Sequence, residues 1–360
     1  MNKDFGQLLQ CLCSALHGRP LDVDADLAAL MPMARKQAVD GLLYDVQGLR
    51  QPADSGLRMQ YVGNLVALEK QNMWMNEQVA AFSKKLDEQH IHHAVMKGQT
   101  CAAFYPHPLH RRPGDIDVYV SPQDFNRANQ LLLAWGARLV DKTMLHSTYK
   151  WGRLDIEVHF AIQKLQYVPY YRQLKLMTAQ DFDARTDETR MQIGGYGVSI
   201  LPDELNMVLL TTHAFNHVIS GGLGLRQILD WQMVFAVKAG ELDWAKLLAY
   251  LDRVHLRRMF LVLAYLNVKY LGMDGRLFSA HGLDIQDKAV RRMAERLLGW
   301  VEVCGNFGQS MNLGTGRVYW VRYYGLFMYN TLRFFPLNPM EMLAWPWMKA
   351  YRALRHKNHL

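Results

Sequence analysis

The chain has 360 residues, half of them hydrophobic, with a net charge of +8 and an isoelectric point near 9.2. That length exceeds one typical core, so two lobes or one domain with helical additions is expected, and the composition excludes a disordered or collagen-like chain. The basic balance suits an anionic ligand without separating a nucleotide from a polynucleotide or a membrane surface. The four cysteines, Cys11, Cys13, Cys101 and Cys304, form no zinc-binding spacing, which favours a reduced, cytoplasmic protein. The opening residues Met1 to Phe5 lack a basic segment leading into an apolar run, so no signal peptide is expected. The most apolar stretch, Met259 to Leu271, is too short to span a bilayer and contains Lys269, so no transmembrane helix is expected.

Residues 4–89 read as helical. Phe5, Leu8, Leu9 and Leu16, then Leu27, Leu30, Met31 and Ala34, recur largely at three- and four-residue spacing. The long segment from Leu57 to Gln89 is expected to pack against a following sheet. Polarity then changes. His92 to Met96 reads as a short strand ending at Lys97-Gly98, and Gln99 to Tyr105 as a helical turn or two. Pro106, Pro108 and Pro113 make an extended basic loop, Ile116 to Val120 a strand, and Ser121-Pro122 the start of a helix that stops at Gly136. Leu145 to Trp151 and Leu154 to Phe160 pair as a hairpin around Gly152-Arg153, and a small β element surrounds Gly194-Gly195. From Pro202 onward the pattern is helical, broken by Gly221-Gly222, Gly240, Gly272 and a Gly/Asn-rich loop over 305–316. The Trp/Arg-rich tail from Trp345 has a composition that suits an acidic membrane or nucleic acid, but it is expected to dock on its own protein. The expected organisation is a helical region over 1–90, a core over 91–201 and a helical domain over 202–360.

The residues that carry chemistry cluster between Lys97 and His159. Asp115 and Asp117 stand at i and i+2 beside a strand, so both project to one face while Ile116 and Val118 project to the other. Two such acids repel each other unless a cation lies between them, and an all-oxygen set favours magnesium with phosphate oxygens as its remaining partners. In the later strand Asp155, Glu157 and His159 share a face, and residue pattern alone leaves Asp155 and Glu157 as competing third acids. His159 can orient a ligand, accept a proton or serve structurally, and His146 can reach the same face from the other hairpin strand. His213 and His217, at i, i+4 on a helix, read better as a packed pair than as a zinc site, and Arg226 and Asp230 as an intrahelical ion pair.

At these residues the chain resembles the nucleotidyltransferase superfamily of the DNA polymerase β type, and within it the bacterial family of uncharacterised nucleotidyltransferases with flanking helical regions. The resemblance is carried by the Lys97-Gly98 turn, Asp115-Ile116-Asp117, Glu157-Val158-His159, Tyr105-Pro106 and Arg112, and is strongest over residues 90–160. It implies an α+β fold: a small mixed β-sheet core flanked by N-terminal and C-terminal helical regions. It also implies Mg2+-dependent transfer of a nucleoside monophosphate, AMP from ATP by default, to an unidentified acceptor. Asp115, Asp117 and Glu157 would be the catalytic carboxylates holding two Mg2+ ions, with Mn2+ able to substitute. Family position favours Glu157 over Asp155. Lys97, Gly98, Gln99, Thr100, Arg112, His146 and His159 would bind the triphosphate and its surroundings. One departure is that the superfamily's Gly-Ser or Gly-Gly turn is here Lys97-Gly98-Gln99-Thr100. The acceptor is expected to be a protein, small molecule or sugar rather than nucleic acid. The rival readings are a glycosyltransferase using Asp-x-Asp and a non-catalytic nucleotide-sensing or nucleic-acid-binding protein on the same fold.

Overall fold

The structure, a computed structural model, describes residues 1–143, 145–185, 189–308 and 316–356. Much of the Gly/Asn-rich loop expected over 305–316 lies outside the described residues. At the centre is a seven-stranded mixed sheet: β1 His93–Met96, β2 Ile116–Val120, β3 Arg138–Lys142, β4 His146–Trp151, β5 Leu154–His159, β6 Thr189–Ile193 and β7 Tyr196–Ile200. Its spatial order is β3-β4-β5-β2-β1-β7-β6. β2 runs parallel to β5 and antiparallel to β1, and β1 runs parallel to β7. Helices precede the sheet and follow it, so the fold is α+β with flanking helical regions, as expected.

The helix Ser55–Glu88 begins where the Asp54 carboxylate accepts from Leu57 N at 2.6 Å, and its 34 residues give a rod of about 50 Å. Its C-terminal half buries Met75, Val79, Phe82 and Leu86 against Val95, Ile116, Val118 and Ile156, the apolar faces of β1, β2 and β5. Burying Phe82 and Leu86 this completely contributes roughly 1.5–3 kcal/mol each. The alternation in β2 therefore has a physical direction: Ile116 and Val118 go under this helix, which leaves the Asp117 side for the opposite face. The β6–β7 turn also packs on the helix. A Cβ at Gly194, where φ is +57°, would lie 2.4 Å from Asn76 O, so only glycine fits there.

Three expectations need correction. Arg138–Lys142 forms the edge strand β3, which the sequence reading omitted. The helix expected from Ser121-Pro122 starts at Phe125, because Asp124 is used to accept from His92 N at 3.1 Å and the residues before it form a turn. Val168–Thr178, a stretch for which the sequence pattern gives no element, forms a helix.

The helices from Asp203 to Cys304 build a second, larger apolar cluster in which Trp231, Phe235, Phe260 and Phe278 stack edge and face. The tail helix Pro339–His356 docks on the protein by one face, burying Met342 and Trp345 while Trp347 stays exposed. Among the described residues no helix is long and apolar enough to cross a membrane.

A polar brace ties the N-terminal region to the loop that precedes β2. His110 bonds Asp45 through Nδ1 at 2.7 Å and Glu69 through Nε2 at 3.1 Å. The hydrogen bond to Asp45 leads the causes that raise His110 above the ordinary imidazole value of 6.5. A histidine raised in the folded state stabilises fully below its unfolded pKa and loses that contribution as pH rises through the folded one. Wild type should therefore melt above His110→Gln near pH 6, with the gap narrowing as the pH is raised beyond 6.5. Thermal melts of both proteins across that range measure it, and a constant gap would contradict the charged brace.

Candidate active site

Lys97, Gly98, Asp115, Asp117, His146, Glu157 and His159 all line one cavity of about 280 Å3, closed on its far side by His213, His217 and Arg226. Strand register makes the near wall. In the parallel β2–β5 pair Asp117 is opposite Glu157, and in the antiparallel β4–β5 hairpin His146 is opposite His159. Asp115, one residue before β2, completes the group. One carboxylate oxygen from each of Asp115, Asp117 and Glu157 lies within 4.8 Å of the others. Asp155 is on the same face of β5 but further from the cavity, where Lys150 Nζ donates to both its oxygens at 2.9 Å. Geometry thus brings Glu157, rather than Asp155, to the acid pair.

The electrostatics follow from crowding. Asp117 is buried, which works against its charge, but the Lys97 ammonium at 2.9 Å and His159 Nε2 at 2.8 Å hold it well below the usual carboxylate range. Asp115 gets no such partner: the neighbouring Asp117 charge pushes it up to about 6. Burial also opposes the charge on Glu157, yet a hydrogen bond from His159 lowers it overall. Burial disfavours a charged His159, but hydrogen bonds to Asp117 and then Glu157 outweigh it and raise its pKa. His146, Glu157 and His159 also converge closely enough for a metal. There, however, the Nε2 of His159 acts as a donor to two carboxylates, and a protonated nitrogen offers no lone pair. The all-carboxylate group is the better cation site.

Lys97 has an unusual backbone. Its φ of +53° and ψ of −146° are sparsely populated by any residue with a Cβ and cost about 1–3 kcal/mol. Gly98 follows at φ +45°, so the β1 exit turns sharply and delivers the Lys97 side chain under Asp117.

Other expected phosphate-binding residues point elsewhere. Gln99 is buried and donates to Asn76 Oδ1 at 2.6 Å, and Thr100 Oγ1 donates to Lys97 O at 2.7 Å, so both shape the turn from behind. The Arg112 guanidinium pairs with Asp40 at 2.8 and 2.5 Å, outside the cavity. Its neighbour Arg111 lines the cavity and holds Asp230 through two bonds of 2.6 and 2.8 Å, while the Tyr105 hydroxyl donates to the same carboxylate at 2.8 Å. This buried Tyr105–Asp230–Arg111 cluster anchors the loop that carries Asp115. Asp230 was expected to pair with Arg226; it is instead the anchor for Arg111.

The far wall comes from the helix whose i, i+4 histidines were expected to pack as a pair. His213 and His217 do pack together, with ring centroids 4.4 Å apart, but they face the cavity, and Gln163 reaches His213 Nδ1 at 3.3 Å. Burial first, and then the Lys97 charge, push both imidazoles down, His217 to about 3, so both are neutral at pH 7. The i, i+4 spacing signalled a shared face; only the fold could show that the face meets Asp117.

A match to the family described as "Uncharacterised nucleotidyltransferase" covers residues 24–272, more than two thirds of the chain. Among curated proteins none matches. Two solved structures are similar in part. One is the antibiotic-resistance factor ANT(2'')-Ia in solution, at 12% identity, covering 54% of this chain and 96% of that one with a TM-score of 0.37. The other is an antigenic nucleotidyltransferase-like protein from Paracoccidioides brasiliensis, at 19% identity, covering 53% of this chain and 90% of that one with a TM-score of 0.33. Likeness at that level carries no argument about substrate. The family match does carry the class: with the carboxylate cavity inside the matched span, this chain belongs to the uncharacterised nucleotidyltransferase family and is a nucleotidyltransferase.

Proposed function

We propose that the protein moves a nucleoside monophosphate from a triphosphate, ATP by default, to an acceptor hydroxyl by the two-metal chemistry of DNA polymerase β-type enzymes. The observation that carries this reading is the convergence of Asp115, Asp117 and Glu157 within 4.8 Å in a cavity that also holds Lys97. Three converging oxygen donors, of which Asp115 keeps an uncompensated repulsion from Asp117, fit a hard divalent cation, Mg2+ or its substitute Mn2+. Bound there, such ions supply charge neutralisation for the triphosphate and a lowered pKa for the acceptor hydroxyl.

The chain's own residues supply position and field. Lys97 and Arg226 place positive charge on two sides of the cavity, where the triphosphate oxygens would lie and where charge develops as pyrophosphate leaves. The Tyr105–Asp230–Arg111 anchor fixes the approach of Asp115. His159 holds Asp117 and Glu157 in register, so both present free lone pairs to the cavity. His213 and His217, being neutral, offer hydrogen bonds to a sugar or base without adding charge. The family match favours nucleotidyl over glycosyl transfer, and the intact acid group favours catalysis over sensing.

Pyrophosphate release from labelled triphosphates, with and without Mg2+ and with fractionated metabolites as acceptors, tests the reading directly. Asp117→Asn and Glu157→Gln should lower turnover by roughly a thousandfold. Asp115→Asn should lose turnover equally yet melt no lower than wild type when both are held without metal at pH 7.5. A carboxyl raised to about 6 is favoured in its protonated form, so its charge weakens the fold above that pH, and Asn removes the charge. Metal-independent turnover, or full activity in any of the three variants, would overturn the assignment.

The strained backbone gives a separate check on Lys97. Lys97→Gly and Lys97→Met both remove the ammonium and should both raise KM for the triphosphate. Only glycine relieves φ +53°, so the Gly variant should be about 1–3 kcal/mol more stable than the Met variant in urea unfolding. Equal stabilities would mean that the turn stores no strain.

A further inference from the structure

The C-terminal end of the chain has a charge and an apolar surface that the active site does not use. From Val303 to Leu360 there are seven Lys or Arg residues against one acid, Glu341, so this end carries six of the chain's net eight positive charges. Glu341 is fully buried, accepting from the backbone N–H groups of Gln166 and Tyr167. None of that basic charge is balanced locally at the surface by a carboxylate of the same segment.

The helices Gly316–Arg333 and Pro339–His356 form a hairpin whose inner faces meet through Phe327 and Trp345, with ring centroids 6.0 Å apart. Their outer faces are apolar. On the first, Val321, Met328 and Leu332 follow at helical spacing, with Val321 74% and Leu332 72% exposed. On the second, Met340, Leu343 and Trp347 do the same, with Trp347 78% exposed. In sequence the spacing continues through Tyr351 and Leu354. Arg322 is exposed at the edge of the first stripe. An exposed apolar stripe bearing tryptophan, in a segment whose sequence has seven cations and one buried acid and whose described helices are too polar to cross a bilayer, is the pattern of a helix lying in a lipid–water interface.

We propose that this hairpin docks the protein on the surface of an anionic lipid bilayer. The apolar stripes enter the headgroup boundary and the basic residues meet the lipid phosphates. A second copy of the chain fits less well, because apposing two such faces brings like charges together. Nucleic acid fits less well too, since Val321, Met328, Leu332 and Leu343 have no counterpart on a phosphate backbone. The inference is independent of the nucleotidyl-transfer reading, and its test does not use activity.

The full chain is mixed with vesicles of phosphatidylcholine alone or of phosphatidylcholine with phosphatidylglycerol and sedimented at low and high salt. The wild type should sediment with the anionic vesicles, weaken as salt is raised, and stay in solution with the neutral ones. Arg322→Glu should reduce the bound fraction by more than about fivefold, the partitioning that one basic residue near such a surface supplies. Leu332→Glu with Trp347→Glu should abolish binding, and because both side chains are exposed the melting temperature should hold. Four results would overturn the proposal: no binding to anionic vesicles, equal binding to neutral ones, binding unchanged in the variants, or a wild-type dimer that ignores vesicles and that the Glu variants convert to monomer.

Discussion

Asp115 and Asp117 leave the chain two residues apart beside a third carboxylate, and their repulsion is the constraint around which the rest of the protein is built. Water screens such charges at a surface, but Asp117 is 5% exposed. Lys97 and His159 hold Asp117 ionised, and the uncompensated share of the repulsion falls on Asp115. The carboxylates and the cations of Lys97 and Arg226 therefore share one cavity without pairing off completely around Asp115.

The surrounding fold can be read as the set of contacts that prevents these groups from relaxing apart. The Ser55–Glu88 helix clamps the reverse face of β1, β2 and β5, so neither β2 nor β5 can rotate its acid away and the β1 exit keeps Lys97 beside them. The loop before Asp115 is fixed from two directions, by Arg111 on Asp230 and by Arg112 on Asp40. Two consecutive arginines therefore hold the loop between the N-terminal and C-terminal helical regions. The backbone carbonyl of Arg112 also accepts from Arg226 at 3.4 Å, which ties the far wall of the cavity to the same loop. Truncating either arginine would loosen an acid it never touches.

What was legible in the sequence was whatever local periodicity encodes. The alternation Ile116-Asp117-Val118 specified which side chains face the cavity, and Asp155-Ile156-Glu157 did the same for β5 without saying which acid is nearer. Register between β2 and β5 decided that, and register is a tertiary fact. β3 was invisible because Arg138-Leu139-Val140-Asp141-Lys142 is an exposed edge strand with no buried face to impose alternation. The partners of Asp230 and Arg112 could not be read because they are more than 70 residues away in sequence. His213 and His217 illustrate the middle case: spacing gave the shared face, and the packing of their helix decided what that face meets.

Charge is sorted by depth. Asp115, Asp117 and Glu157 are drawn into one cavity with Lys97, while Arg322 of the C-terminal end is exposed and that end's one acid, Glu341, is buried. The proposed docking hairpin is seated on the same helix that lines the cavity: Asn330 Nδ2 reaches Val218 O at 3.5 Å, one residue beyond His217, and Tyr323 reaches Ser220 O at 3.4 Å. Glu341 grips the backbone at Gln166 and Tyr167, a few residues after Gln163 of the far wall. The hairpin thus shares its supporting helix with the His213–His217 wall of the cavity.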